Sequence, residues 1–462
     1  MSPPGRPKGE LRSAQHDGAP VSGADDAPAL RERLAAQGVH TLLAQFTDID
    51  GVAKGKLVPL AQLAALLNEG AGFSGPSITG TGLPRSGPRS EYWGRGDPAT
   101  ACALPWLPGV ARIVCDGIVD GQPFDACPRQ VLRRQVAALA ERGWSLQTGI
   151  EPEFFLLRRA ADGGIAPADA HDRLAKPSYD LTSLLHRQGF VAELVDALQG
   201  CGLEVLQVDH EDAHGQYELN FRHADALTSA DRLMLFKLAA QAIATKHGAL
   251  FSTMPRPFAD QPGSGMHFHV SLWAGETCLF DDELARWRNP FIAGVLAHAP
   301  ALAAIAAPTV NSYKRLVVFE SITGTSWAPA YIAYGPNNRT ALVRTLPGRF
   351  EWRLPDAAAN PYLATAALIA AGLDGIANKL ELPAAVEDDL FELPLAEIRR
   401  RGIALLPQSL AEALDALERD TAITAALGPT LTAQFLALRR AEWTAYTRHV
   451  SAWEVARYAE RC

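Results

Sequence analysis

The chain has 462 residues, 48% hydrophobic and 20% charged, with a formal net charge of -8 and a pI near 5.9. That length can bury enough core for two domains, and the acidic balance, with no basic cluster interleaved with aromatics, argues against a nucleic-acid partner. Its six cysteines, Cys102, Cys115, Cys127, Cys201, Cys278 and Cys462, form no Cys-x-x-Cys pair, which argues against a zinc knuckle or disulfide framework and fits a reducing, cytoplasmic location.

Residues 1–27 are rich in Pro, Gly, Ser and charge and lack an apolar run of signal-peptide length, so a disordered tail is expected. "ALRERLAAQG" reads as a helix closed by Gly38, and "VHTLLAQFTDIDGVAKGKLVPL" as two strands around an Asp-Gly turn. "GAGFSG" at Gly70–Gly75 is a literal dinucleotide fingerprint, but a helix-like "LAQLAALLNE" precedes it and a loop follows, so it is set aside. Asp120-Gly121 marks a hairpin, and "CPRQVLRRQVAALAERG" opens a helix with Pro128 near its start and Gly143 past its end. The expected division is residues 28–126 as a β-rich amino-terminal domain and 127–462 as a catalytic domain.

Beyond that helix, strands such as "GIEPEFFLLR", "HGQYELNFRH", "MHFHVSLWAG", "TALVRTL" and "RFEWRLP" alternate with amphipathic helices, an α+β pattern. "TSADRLMLFKLAAQAIATKHG" is expected to be a helix capped by Thr228 or Ser229 and ended by Gly248. "NPYLATAALIAAGLDGIANKL" reads as a core helix with Asn360 as N-cap and Pro361 first in the helix. It is interrupted by Asp374 and Asn378 and falls short of the roughly 20 apolar residues a membrane span needs. The final eighty or so residues read as mostly helical.

The chemistry lies in residues two apart on strands, because such residues share one face. His267 and His269 face one way while Met266, Phe268, Val270 and Leu272 face the other. Taken alone, the histidines could be a hydrogen-bonded pair at a sheet surface. Glu151 and Glu153, and Arg349, Glu351 and Arg353, repeat the spacing on strands apolar enough to be buried, where charges need partners or a metal. If Glu151, Glu153, Glu211, Glu218, His267 and Glu351 converge, their repulsion calls for hard divalent cations, Mg²⁺ or Mn²⁺. Arg315, Arg339, Arg344, Arg349 and Arg353 supply the opposite charge, which points to phosphate and carboxylate ligands and to phosphoryl transfer.

The blocks "EPEFF", "GQYELNF", "GSGMHFHVSL", "NSYKRL", "NNRTALVR" and "EWRLPDAAANPYLATAALIAAGLDGI", in this order, resemble the signatures of the glutamine synthetase family, from about Thr41 to beyond Ile376. "GAGFSG", "PWLPGVARIVCDG" and "KPSYD" are most similar to its type III glutamate–ammonia ligase branch, which includes γ-glutamylmethylamide synthetase. The resemblance implies a β-grasp amino-terminal domain, then a curved antiparallel β-sheet bowl lined by the site with helices outside. It implies one cation held by Glu153, Glu211 and Glu218 near glutamate, and another held by Glu151, His267 and Glu351 near the ATP phosphates. His269 and Ser271 would face ATP, Gly263, Arg315 and Arg353 would grip glutamate, and Arg339, Arg344 and Arg349 would hold phosphates. Arg339, Glu211 and Arg353 would serve catalysis. Family members are rings in which a neighbour completes each site, so a dodecamer of two stacked hexamers is expected.

The expected activity is ATP-dependent formation of a γ-glutamyl amide from glutamate and an amine or ammonia through γ-glutamyl phosphate. A metal-dependent hydrolase would not need the arginines, and a non-catalytic relative would not keep all six metal-ligand positions. Where ammonia-using members carry Asp in "FDGSS", this chain has Ser74 in "FSGPS"; where they have "YEAP", it reads "FESITGTSWAP", with Trp327 before Ala328 and Glu320 earlier in the loop. Loss of an anionic ligand and gain of an indole favour a small alkylamine over ammonium, with a polyamine as the other alternative. Pro262 stands where the family has Asn before "GSGMH". Phe391 in "DLFELP" replaces the Tyr that some members adenylylate.

Overall fold

The computed structural model describes residues 27–281, 285–317, 320–321, 324–325 and 327–461. Residues 1–26 of the expected tail lie outside the described residues; its last member, Ala27, instead opens helix α1 (Ala27–Ala36).

The first sheet contains β1 (Thr41–Thr47), β2 (Ala53–Pro59), β3 (Ala71–Ser74), β4 (Glu91–Gly96) and β6 (Val110–Val119) in the order β2-β1-β6-β4-β3, with β5 (Cys102–Ala103) and β7 (Gln122–Pro123) also on β6. Its central β1–β6 pair is parallel and the remaining pairs are antiparallel. Asp120 and Gly121 take φ of 51° and 69°, the left-handed geometry of a tight hairpin between β6 and β7. The glycine-rich decoy is β3, an antiparallel strand after helix α2 (Leu63–Asn68), so it has neither the preceding strand nor the following helix of a dinucleotide loop.

Helix α3 (Pro128–Ala140) leads into the second sheet, whose spine is the fifteen-residue β8 (Ser145–Arg159). Its neighbours are β9 (Val205–His210), β10 (Gln216–Phe221), β11 (Met266–Ala274), β12 (Tyr334–Pro336), β13 (Val343–Leu346) and β14 (Arg349–Trp352), in the order β9-β10-β8-β11-β14-β13-β12. All these pairs are antiparallel except β12–β13. Helix α4 (Gln188–Gly200) ends shortly before β9, and α5 (Ala226–Lys246) follows β10.

The cap of α5 is Asp225, not Thr228 or Ser229: its carboxylate accepts the Leu227 and Thr228 amides, while the buried Ser229 hydroxyl donates to the Thr148 carbonyl of β8 at 2.7 Å. Apolar packing continues through α6 (Arg288–Ala297), α7 (Ala299–Ala306) and α8 (Pro361–Ala377). Asn360 caps α8 through the Tyr362 and Leu363 amides, and its Nδ2 donates to the Asp48 carbonyl in the β1–β2 turn at 2.9 Å, tying the two sheet regions together. Among the described residues no single helix is long and apolar enough to cross a membrane.

Near the carboxyl terminus run α9 (Leu410–Arg419), α10 (Thr421–Leu427) and α11 (Pro429–Arg448). His298, at the α6–α7 junction, is bracketed by Asp420, the cap of α10, at 2.7 Å and Asp374 of α8 at 3.0 Å. The hydrogen bond to Asp420 is the main cause holding its imidazole above the usual value, against the effect of burial. The folded-state value exceeds the unfolded value of about 6.5, so this contribution is complete below that pH and is lost as pH rises through the raised value. His298→Gln is expected to cost about 1.5–3 kcal/mol in mildly acidic buffer and less in alkaline buffer. Urea midpoints of both proteins across pH check this; a pH-independent difference contradicts it.

Candidate active site

Alternation along β11 places Met266, Phe268, Val270 and Leu272 fully in the core and leaves His267, His269 and Ser271 on the opposite face. Cross-strand register then aligns charges in a row. Asp209 of β9 lies opposite Glu218 of β10, and Glu218 opposite Glu153 of β8. Glu151 of β8 faces His267 of β11; His269 of β11 faces Glu351 of β14, which in turn faces Arg344 of β13. Residues so opposed have their side chains within contact range.

The row contains three groups whose potential ligand atoms lie within 4.8 Å of one another: Glu151–His267–Glu351, Glu153–Glu218–His267 and Asp209–Glu211–Glu218. All six expected ligands are therefore brought together, with His267 common to two groups. The expected Glu153–Glu211–Glu218 set is split: Glu153 groups with Glu218 and His267, and Glu211 with Glu218 and Asp209, a residue missed in the sequence although Asp209 and Glu211 in "VDHED" show the same two-apart spacing.

The two ends of the row differ electrostatically. Burial, then repulsion from Glu153, Glu211, Glu151 and Asp209, pushes the Glu218 carboxyl up to about 10. Burial and the Glu153 charge raise Glu211 well above the carboxylate range. Glu153 is raised mainly by burial, opposed by the Gly265 amide, 2.7 Å from its Oε2, and by Arg315 and Arg353. At the other end burial also disfavours ionised Glu351, yet the neighbouring Arg353 charge first, and a hydrogen bond from Arg344, help outweigh it and bring the carboxyl down to about 2. Burial and Arg353 hold His267 well below its usual value, leaving a neutral imidazole with a lone pair to offer. Buried carboxylates that repel one another beside a neutral imidazole form a donor set suited to hard divalent cations.

The arginines occupy distinct positions. Arg344 donates to Glu351 at 2.9 Å and also to Asn337, while Arg353 donates to the other Glu351 oxygen and, at 3.3 Å, to the Trp327 carbonyl. Buried Arg315 donates to the Leu354 and Arg353 carbonyls at 3.0 and 3.2 Å. Arg349 donates through Nε to His269 Nδ1 at 3.1 Å, and Arg339 is exposed just past β12. Gly263 admits no side chain, since an added Cβ would sit 2.2 Å from the Pro255 carbonyl; one on Gly265 would lie 2.8 Å from His267 Nε2.

Two cavities border the row. A small one of about 50 Å³ is lined by Glu153, Glu211, Pro262, Arg315, Trp327 and Arg353, among others. An open cleft of about 490 Å³ is lined by Glu151, His223, His269, Ser271, Trp273 and Arg349, among others. Trp327 is half-exposed, its indole N–H donating to Asp212 at 3.0 Å. The Glu320 side chain lies outside the described residues. Ser74 is exposed on β3, accepts a hydrogen bond from Ser77 at 3.1 Å and does not line the small cavity. Phe391 packs near Tyr331, 6.3 Å between ring centres. With no hydroxyl at Phe391, incubation with an adenylylating activity is expected to leave its peptide unmodified; a mass shift corresponding to AMP there contradicts this.

A buried acid–imidazole–arginine row between an open cleft and a small cavity is chemically suited to bringing a phosphate group against a carboxylate. The model for the glutamine synthetase catalytic domain matches residues 125–458. The chain is 48% identical over 434 residues to a glutamate–methylamine ligase from Methyloversatilis universalis, covering 92% of this chain and 98% of that protein. It is 38% identical over 427 residues to a glutamine synthetase of Rhizobium leguminosarum bv. phaseoli, covering 90% and 96%. Among solved structures, a GmaS–ADP complex superposes with a TM-score of 0.86 at 38% identity over 93% of this chain and 99% of that one, and an apo GmaS structure with 0.85. The chain belongs to the glutamine synthetase family. It has that family's α+β fold and is one of its ATP-dependent ligases joining glutamate to an amine or ammonia.

Proposed function

We propose that the amine joined to glutamate is a small primary alkylamine of the methylamine type. The observation carrying this reading is Trp327: this half-exposed residue, its indole N–H bonded to Asp212, borders the cavity that Asp212, Glu153, Glu211, Arg315 and Arg353 line. An indole face attracts ammonium and alkylammonium alike, but only the alkylammonium also buries a methyl group against it. The 48% identity to a glutamate–methylamine ligase supports the same choice.

Two divalent cations, Mg²⁺ or Mn²⁺, would supply charge neutralisation for the transferring phosphoryl group. Glu153, Glu211 and Glu218, with Asp209 beside them, would hold one; Glu151, His267 and Glu351 would hold the other. His269, Ser271, Arg344 and Arg349 would bind ATP across the open cleft. Gly263, Arg315, Arg339 and Arg353 would hold glutamate, with Arg339 also facing the phosphoryl group. The γ-carboxylate oxygen bonds to the γ-phosphorus as ADP leaves; the amine nitrogen then bonds to the carbonyl carbon of that γ-carboxyl group as phosphate leaves and the amine loses a proton. Glu211, Arg339 and Arg353 would stand nearest these bonds. We further propose residues 28–126 and 127–462 as the two domains, a cytoplasmic location, and a dodecamer in which a neighbour's amino-terminal domain meets each site. Ser74 would take part there, since it does not line the cavity of its own chain.

The test is glutamate-dependent ADP release with ammonia, methylamine, ethylamine and polyamines. Methylamine or ethylamine is expected to give the highest kcat/KM, and Trp327→Ala to lower the methylamine-to-ammonia ratio by about 10-fold or more. A clear preference for ammonia, or a ratio unchanged by the substitution, overturns the assignment of the amine.

A further inference from the structure

The cysteines scattered in sequence are not all separate in space. Cys102 lies on β5 of the first sheet, directly opposite Arg112 of β6, and Cys201 follows the last residue of α4. The Cys102 thiol is 3.7 Å from the Cys201 carbonyl, and the Cys201 thiol 3.5 Å from the carbonyl of Ala103, next to Cys102. Both are half-buried and free, and both line an open cavity of about 620 Å³ beside α1 and the turn before β6. This cavity is separate from the two that border the charge row.

We propose that Cys102 and Cys201 are a peroxide-sensitive dithiol whose disulfide clips the first sheet to the end of α4. The thiols differ as a nucleophile and its resolving partner should. The neighbouring Cys201, with the nearby Arg112 charge, lowers Cys102 against the effect of burial; Cys102 and burial raise Cys201. Cys201 also sits at a helix carboxyl terminus, whose partial negative charge disfavours a thiolate. By contrast Cys115, pushed up by burial to about 12, and Cys127, raised by the same cause, are buried thiols of low reactivity.

The oxidant is hydrogen peroxide. Cys102 sulfur attacks its O–O bond, forming an S–O bond and releasing water; Cys201 sulfur then attacks the Cys102 sulfur, forming the S–S bond and displacing the oxygen as a second water. Two thiols are oxidised as one peroxide is reduced, and a dithiol reductant reverses the step.

Full-length reduced protein, in its native assembly, would be treated with hydrogen peroxide, denatured in excess alkylating agent and digested without reductant. Expected results are a linked Cys102–Cys201 peptide, a fall from six titratable thiols per chain to four, and recovery on adding dithiothreitol. Cys201→Ser, at a half-exposed site that tolerates the smaller group, is expected to abolish the linked peptide and leave a Cys102 sulfenic acid that dimedone captures. Cys102 and Cys201 both remaining alkylatable, or oxidising singly in the unmodified protein, overturns the proposal.

Discussion

Glu351→Gln is expected to lower glutamate-dependent ADP release by at least about 10²–10³-fold while the protein still folds and assembles. The side chain keeps its size but loses the charge on which three strands converge. Glu351 faces His269 across β11 and Arg344 across β13, accepts from Arg344 and Arg353 through different oxygens, and comes within 3.5 Å of His267 Nδ1. A neutral amide gives a divalent cation a much weaker ligand and leaves two guanidinium groups without their anion. The amide oxygen of the substituted side chain can still accept from one arginine, so the loss should appear in catalysis and cation affinity more than in folding. Measurements of kcat, of the Mg²⁺ or Mn²⁺ concentration for half-maximal rate and of thermal midpoint separate these effects. Near-normal turnover with an unchanged cation requirement contradicts the role assigned to Glu351.

Arg129→Ala is expected to destabilise the fold by about 3–5 kcal/mol, the usual cost of removing one partner from a buried ionic cluster. The Arg129 side chain, only 3% exposed, reaches Asp97 and Asp116 of the first sheet region at 2.9 Å each and Asp231 of α5 at 2.8 Å. Asp231 also accepts from the Tyr362 hydroxyl of α8 at 2.7 Å, so one guanidinium from α3 ties together elements on both sides of the proposed domain division. Arg133 contacts Asp97 at 2.6 Å and Asp116 at 3.0 Å, but at 36% exposure it is the weaker partner, and it makes no ion pair with Asp231.

The acid limb supplies a second readout. Burial alone would raise Asp97, but Arg129 and then Arg133 hold it below the usual carboxylate range. Its folded-state value is therefore depressed, and its stabilisation, present above about pH 4, is lost as pH falls through that lower value. The variant should lose less stability on acidification than the unmodified protein. Urea midpoints at neutral and acid pH check both statements; a loss under about 1 kcal/mol at neutral pH, what a surface pair contributes, contradicts the first.

The sequence by itself determined which residue types share a face. Alternation around His267 and His269, around Glu151 and Glu153, and around Arg349, Glu351 and Arg353 follows from the two-residue period of an extended chain, and the core takes up the apolar set in each strand. Local turn and cap chemistry was equally legible at Asp120-Gly121 and at Asn360-Pro361, because each depends only on immediate neighbours. Tertiary structure alone decided which strands became neighbours. Strand order brought Asp209 into the acid group and set Arg344 against Glu351. Packing between the two sheet regions gave Arg129 its three carboxylates and placed Cys102 beside Cys201, 99 positions apart in the chain. Even the cap of α5 fell to Asp225 because β8 offered Ser229 a carbonyl. Such pairings depend on how distant segments bury their apolar faces together, and no period or spacing along one strand encodes that choice.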